Sequence, residues 1–231
     1  MSAWWDFLTT GSNWSGPRGI WARTWAHLWV SLVACAGAFV IAAPPAVWLA
    51  HHRRLPRAAA AVANVGQAVP SFAILALTLP LSIRWGFGLG FWPTCVALIA
   101  LGIPPIFTNT YAGVASAPPT LVEAATGVGM TAGQVLRRLE MPLAIPLVVT
   151  GVRIAMLQII ATATLGTLVG YDCLGNFVIT GLQSPRRATG QLLGGASLVA
   201  ALALAADALL GLAQTGRKLS RRTARFVTPP R

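Results

Sequence analysis

Charged residues are scarce in this chain of 231 residues: they make up 10% of it, and only five are acidic. The chain is 55% hydrophobic with a mean hydropathy of +0.68, whereas a soluble domain carries about 25% charged residues. The composition therefore predicts a membrane protein. Seventeen Lys and Arg residues give a net charge of +12, but they cluster at the borders of long apolar runs. This placement argues against nucleic-acid binding, which uses a continuous basic surface.

Cysteine is also rare, and Cys35, Cys95 and Cys173 lie far apart. Their spacing supports neither a disulfide framework nor a zinc site, so we interpret them as buried hydrophobic residues and expect no metal. A phosphate-binding loop is missing as well, because the nearest text, at 211–218, has Arg217 where the lysine is needed. We expect this chain to bind no ATP or Mg²⁺ itself and predict no catalytic residue.

Five apolar runs are long enough to cross a hydrocarbon core of about 30 Å, which takes roughly 20 helical residues. They do not alternate as β-barrel strands would, so we predict an all-α membrane protein with about five transmembrane helices. The predicted spans are 25–49, 58–80, 91–113, 145–169 and 192–212. They leave an extracytoplasmic or interfacial segment at 1–24, a transmembrane region at 25–212 and a basic tail at 213–231. The first twenty residues lack the pattern of a signal peptide, so insertion through these spans is expected.

Basic residues predict the orientation of the chain. The segments after the first, third and fifth spans hold eleven of the seventeen Lys and Arg residues. The positive-inside rule places these segments in the cytoplasm, with the N-terminus outside, the C-terminus inside and the tail near anionic lipid. Six of the nine tryptophans lie in the first thirty residues. We interpret them as an interfacial belt, with an aromatic cage for a cationic ligand as the alternative.

The segment 114–144, between the third and fourth spans, is far longer than a connection between two membrane helices needs. Its pattern predicts two short cytoplasmic helices with an apolar face. Thr120 is expected to cap the first helix, with Glu123 completing a capping box. The second helix, 131–141, is expected to end at Pro142. Such a pair of helices predicts a docking site for another protein.

Seven residues of this loop stand at a recognisable spacing: Glu123, Ala124, Ala125, Gly129, Leu139, Met141 and Pro142. They resemble the EAA signature of the integral-membrane subunits of bacterial ABC importers. Leu139 and Met141 stand where family members more often have Ile and Leu, which conserves apolar volume.

The resemblance implies the type I ABC importer permease fold in a bacterial cytoplasmic membrane. It also implies three partners: an ABC ATP-binding subunit that carries ATP and Mg²⁺, a second permease subunit that is identical or similar, and an extracytoplasmic substrate-binding protein. The loop would then lie in a groove of the ATP-binding subunit. In that groove Glu123 would make a polar contact, Ala124 and Ala125 would allow close approach, Gly129 would form the bend, and Pro142 would lead to the fourth span.

Three further segments resemble the osmoprotectant branch of this family, whose permeases handle glycine betaine, choline, carnitine or related quaternary ammonium compounds. They cover 65–77, 102–114 and 151–170, and the second contains the run Asn-Thr-Tyr at 109–111. The turn that follows departs from the pattern, because Tyr171, Asp172 and Cys173 replace small residues, which leaves the outer gate or binding-protein contact in doubt. The resemblance implies ATP-driven osmoprotectant import. An amino-acid importer of the same family and, from another class, a self-sufficient secondary transporter or channel are the alternatives.

Polar side chains at membrane depth are candidates for the translocation path, although each also suits a hydrogen bond between helices. The candidates are Asn64, Gln67, Ser71, Asn109, Tyr111, Thr162 and Thr164. Arg153 and Asp207 are the only acidic or basic residues inside the predicted spans. Because unpaired ions are costly in lipid, we predict a structural ion pair between them; a role for Asp207 in an inner substrate exit and snorkelling of either group are the alternatives.

Overall fold

The structure is a computed structural model that describes residues 2–53, 61–62, 70–183 and 189–226. This part of the chain contains helices and no strand, which confirms the all-α prediction. The α-helices are α1 (Ser2–Thr9), α2 (Ile20–His51), α3 (Ser71–Arg84), α4 (Phe91–Ala115), α5 (Pro119–Gly127), α6 (Ala132–Val135), α7 (Met141–Ala163), α8 (Gly175–Gln183) and α9 (Thr189–Phe226). A π-helical turn (Leu136–Glu140) joins α6 to α7, and a 3₁₀-helix (Thr164–Val169) extends α7.

Four helical stretches in the described residues are long and apolar enough to cross a membrane: Ile20–His51, Phe91–Ala115, Ala132–Val169 and Thr189–Leu212. Each contains one of the predicted spans. Ten of the 23 residues of the second predicted span, 58–80, lie outside the described residues, and its end at 71–80 belongs to the shorter apolar helix α3.

Small residues line the contacts among α2, α4 and α7, which form the core. α2 buries a row of alanines one helical turn apart: Ala34, Ala38, Ala42 and Ala46. Gly102 of α4 lies where the three helices meet, because a Cβ built there would be 2.9 Å from Ala38 Cβ and 3.0 Å from Ile159 Cδ1 of α7. The helices therefore approach so closely that a side chain at this position has no room.

The long helix α9 lies at the edge of the core, against α1, α7 and α8. Phe7 of α1 fills the space beside Gly194 and packs edge-on against Phe177 of α8 at a ring distance of 5.2 Å. On the opposite face of α9, leucines such as Leu204 and Leu209 are about 70% exposed. An exposed apolar face on a spanning helix suits lipid or another membrane-spanning chain.

Candidate functional site

The loop 114–144 begins with a helix that has no side-chain cap. Pro118 is the N-cap of α5 and Pro119 is its first residue. The predicted capping box of Thr120 and Glu123 is therefore wrong. Proline is favoured at the first helical position because its missing N–H needs no partner there, so the helix begins earlier than expected. Glu123 then lies in the second turn, and its side chain is exposed.

A turn at Gly129 ends this first helix. Gly129 has a φ of +88°, its N–H donates to the carbonyl of Thr126 at 2.9 Å, and the N–H of Met130 donates to the carbonyl of Ala125 at 3.1 Å. These two bonds form a Schellman motif, which requires a left-handed residue at this position. The left-handed backbone conformation at position 129 therefore favours the glycine of the seven-residue pattern.

The second helix of the loop has the capping box that the first lacks. The side chain of Thr131 accepts a bond from the backbone of Gln134, and the backbone N–H of Thr131 donates to Gln134 Oε1 at 2.8 Å. This reciprocal pair fixes the start of α6 directly after the turn.

The prediction that this second helix ends at Pro142 is wrong, because helical structure continues from Ala132 into α7. Proline cannot donate a backbone hydrogen bond and crowds the preceding turn. The π-helical turn Leu136–Glu140 stands directly before it, and the N–H of Met141 donates to the carbonyl of Leu136, five residues back. The wider π-helical turn replaces the regular hydrogen bonds at the point where proline would interrupt them. The second helix of the loop and the span α7 therefore form one continuous helix.

One surface of the loop, which we call the open face, is turned to solvent. It includes Leu121, which is 49% exposed, and Val128, which is 81% exposed. Of the seven pattern residues, Glu123, Ala124 and Gly129 are exposed, while Ala125, Leu139, Met141 and Pro142 are half-buried. An exposed apolar surface beside charged groups is typical of a docking site.

The opposite surface of the loop packs on the ends of α2 and α4. Ala50, Val114 and Ala144 form a buried cluster there, against which Leu136 and Met141 are packed. We call this end of the core the loop end, and the opposite end, which carries residues 170–175, the turn end.

Two residues of the loop end were missed by the sequence analysis: Glu140 and His51. Glu140 Oε2 lies 2.5 Å from His51 Nδ1, and Glu140 is only 2% exposed. A signal existed in the sequence, since Leu136, Glu140 and Ala144 are spaced four residues apart and so share one helix face. Glu140 therefore lies in line with residues that pack inward.

The polar candidates for a translocation path are only partly brought together. Ser71 and Thr162 line one small cavity between α3, α4 and α7, beside Thr94. Asn109 donates to the carbonyl of Pro105 at 2.9 Å, and Thr164 donates to that of Ala161 at 2.9 Å. These last two bonds satisfy groups within the same stretch of helix and do not join different helices.

The remaining candidates lie elsewhere. Tyr111 packs beside the buried cluster of the loop end. Asn64 and Gln67 lie outside the described residues.

Arg153 of α7 and Asp207 of α9 are brought together as a two-pronged ion pair. Arg153 Nη2 donates to Asp207 Oδ2 at 2.6 Å, and Arg153 Nε donates to Asp207 Oδ1. The two side chains are 35% and 27% exposed. Two parallel N–H···O bonds satisfy both ions, which a lipid environment requires, and they join α9 to the core.

At the turn end, residues 171–173, which replace small residues of the osmoprotectant pattern, all contact other parts of the chain. Tyr171 donates its hydroxyl to the carbonyl of Ala26 in α2 at 2.6 Å. Asp172 Oδ1 accepts from Arg23 Nε at 2.9 Å, and the Arg23 guanidinium also lies 4.4 Å from the centre of the Phe177 ring. Burial raises the pKa of Tyr171 to about 12, so its hydroxyl stays a donor at neutral pH.

Cys173 is fully buried and free, as are Cys35 and Cys95, which confirms their interpretation as buried residues. Burial raises the pKa of the Cys173 thiol, which keeps it protonated and unreactive. Trp21, Trp25 and Trp29 are exposed at intervals of four residues along α2, which suits an interfacial belt.

The chain is similar in sequence to a known protein family and to several characterised proteins. Residues 38–217 match the family described as "Binding-protein-dependent transport system inner membrane component". The chain is 35% identical, over 86% of its length and 87% of the relative's, to the glycine betaine/carnitine/choline transport system permease protein OpuCB of Bacillus subtilis (strain 168). It is 33% identical, over 86% and 87%, to the choline transport system permease protein OpuBB of the same organism.

A solved structure shows the same fold. The inward-facing MetNI methionine ABC transporter contains a chain that matches with a TM-score of 0.68 and 22% identity, over 89% of this chain and 94% of that one. The predicted importer fold is thereby confirmed.

Proposed function

The chain belongs to the family of inner membrane components of binding-protein-dependent transport systems, and from this membership we propose that it is the permease subunit of an ATP-driven importer of quaternary ammonium osmoprotectants. The observation that carries the substrate class is the identity of 33–35% to permeases named for glycine betaine, carnitine and choline, over most of both chains. The likeness to a methionine transporter, at 22% identity, supports the fold alone and does not favour an amino-acid substrate.

The open face of the loop supports docking of a separate ATP-binding subunit. Leu121 and Val128 offer apolar area, Glu123 offers a carboxylate, and Arg137 and Arg138 add exposed positive charge nearby. Small residues at Ala124 and Ala125 let a partner approach the backbone of α5. In this proposal the loop end faces the cytoplasm, where the ATP-binding subunit holds ATP and Mg²⁺ and the present chain contributes the contact surface.

The transport cycle follows from two states of the complex. A binding protein that docks at the turn end, and ATP bound in the partner subunits, would each shift the cavity between inward and outward opening. Either ligand can do so only if it binds one state more tightly than the other. The exposed apolar face of α9 supports contact with lipid or with a second permease subunit.

The test is uptake of labelled glycine betaine, choline and carnitine in cells that lack this chain. The cells are complemented with the natural chain, with Glu123→Arg or with Glu123→Gln, and membrane insertion of each is checked by fractionation. We expect uptake with the natural chain, a large loss with Glu123→Arg, and a smaller loss with Glu123→Gln, which keeps the shape without the charge. Uptake of methionine in place of all three compounds would favour an amino-acid importer.

A further inference from the structure

Glu140 is buried in the middle of a loop whose proposed role depends on its exposed surface. It stands between Leu139 and Met141, two residues of the seven-residue pattern, yet it does not belong to the open face. Docking of an ATP-binding subunit makes no use of it. A buried carboxyl group is costly unless it is hydrogen-bonded, so its presence needs a separate explanation.

The partner of Glu140 is the last residue of α2. His51 Nδ1 lies 2.5 Å from Glu140 Oε2, with the two side chains 15% and 3% exposed. The two residues are 89 positions apart in sequence, so the contact joins the loop to a different spanning helix. A short bond between a ring nitrogen and a carboxylate is a strong and directional one.

Two further contacts reinforce this junction. Arg53 Nη2 donates to the carbonyl of Ala117 at 3.2 Å, from a backbone with a φ of +49° that non-glycine residues rarely adopt. The cluster of Ala50, Val114 and Ala144 lies beside it. Small apolar side chains pack without a preferred direction and allow sliding, whereas the bond from His51 to Glu140 fixes the register.

We propose that the His51–Glu140 pair is the joint that makes the loop and α2 move as one body, and that both are positioning residues of the transport cycle. The inference rests on the proposed function, because the movement comes from the ATP-binding subunit. α2 is 32 residues long, about 48 Å at 1.5 Å per residue, and at its other end Arg23 and Ala26 bind the turn that carries Tyr171 and Asp172. A displacement at Glu140 is thereby carried to the turn end along one continuous helix, which includes Pro44 and Pro45.

The experiment measures uptake and ATP hydrolysis together in the purified complex, reconstituted in liposomes with the ATP-binding subunit and the binding protein. The variants are His51→Ala, Glu140→Ala and Glu140→Gln, and the control is His52→Phe, at an exposed position where phenylalanine keeps a ring beside His51. We expect the two alanine variants at positions 51 and 140 to lower the amount transported per ATP about tenfold, a typical size for coupling between sites. Glu140→Gln, which still accepts a hydrogen bond, should lose less, and His52→Phe should match the natural chain.

A merely structural role would lower the yield of assembled complex and leave the amount transported per ATP unchanged, and that result overturns the proposal. If the alanine variants do not assemble, Glu140→Gln and His51→Gln decide, since each keeps part of the hydrogen bond.

A second readout needs no osmoprotectant, so a failure of the joint can be told from a failure of the proposed function. Spin labels are placed at Trp48→Cys on α2, where the side chain is 54% exposed and lies on the His51 side of Pro44 and Pro45, and at Gly133→Cys, where a new side chain meets open space. The native cysteines are buried. We expect the distance between the labels to be the same without nucleotide and with ATP, and to change with ATP in Glu140→Ala. A distance that changes in the natural chain overturns the joint, whatever the substrate.

Discussion

The loop end and the turn end of the core use their side chains in opposite ways. At the loop end, Leu121, Glu123 and Val128 face solvent and leave apolar area uncovered. At the turn end, Tyr171 and Asp172 are bound to residues of α2. The open face therefore leaves apolar area exposed, whereas the turn end, like the buried His51–Glu140 pair, makes its polar contacts within the chain. A local sequence motif is therefore enough to find the open face, whereas the turn end depends on contacts between residues distant in sequence.

Both ends depend on the core between them, so the largest effect is expected at Gly102. Gly102→Leu places a side chain where a Cβ already lies 2.9 Å from Ala38, and overpacking of this kind costs about 3 kcal/mol or more. We expect little folded protein, measured as the yield of monodisperse chain after detergent extraction. Gly133→Leu is the control, since Gly133 borders open space, and equal yields from the two variants would contradict the close packing of α2, α4 and α7.

The ion pair of Arg153 and Asp207 should give the next largest effect, because each single reversal leaves two like charges at membrane depth. We expect Arg153→Asp and Asp207→Arg to lower the amount of inserted chain strongly, and the double exchange to restore much of it. The readout is the quantity of chain in the membrane fraction. If the double exchange is no better than the single reversals, the pair does not hold α9 to the core.

At the loop end, two glycines two positions apart should respond differently. Gly129→Ala forces an alanine into a φ of +88°, a strain of about 1 kcal/mol, whereas Gly127→Ala lies in α5 and should stabilise that helix by about the same amount. Neither new methyl group meets an atom within 4 Å. Protease sensitivity of the loop should therefore rise for Gly129→Ala and fall for Gly127→Ala. The same response from both would show that backbone conformation does not govern this turn.

The smallest effect is expected at the turn end. Asp172→Ala removes a partly exposed ion pair and should cost less than about 1 kcal/mol, seen as a small shift in thermal unfolding. Arg23→Ala removes the same ion pair together with the contact to the Phe177 ring, so its shift should be larger. Equal shifts would mean that the ring contact adds nothing.

Much of the architecture could be predicted from composition and local pattern. Long apolar runs predict spanning helices because a lipid bilayer permits few other structures. In the described residues, four of the five predicted spans lie within such helices. The position of the loop followed from its length, and the pairing of Arg153 with Asp207 followed from the cost of lone ions in lipid.

The remaining features depend on tertiary contacts or on details of the helix ladder. The residues at 120 and 123 predict a capping box, but proline at the first helical position starts the helix earlier. Pro142 predicts a helix end, and the π-helical turn that accommodates it leaves no clear pattern in sequence. The bond between His51 and Glu140 spans 89 residues, and only the folded chain brings these side chains together.

The π-helical turn Leu136–Glu140 also has a consequence for how this chain can vary in length. Such a turn holds one residue more than the regular ladder needs, so losing one residue there would turn it into ordinary α-helix. After that loss the N–H of Met141 and the carbonyl of Leu136 would still bond to each other, so the loop would keep its direction relative to α7. Loss of one residue from the regular ladder of α7 would instead turn the open face by about 100°, at 3.6 residues per turn. Homologous chains should therefore tolerate the loss of one residue between Leu136 and Met141 better than a loss within α7.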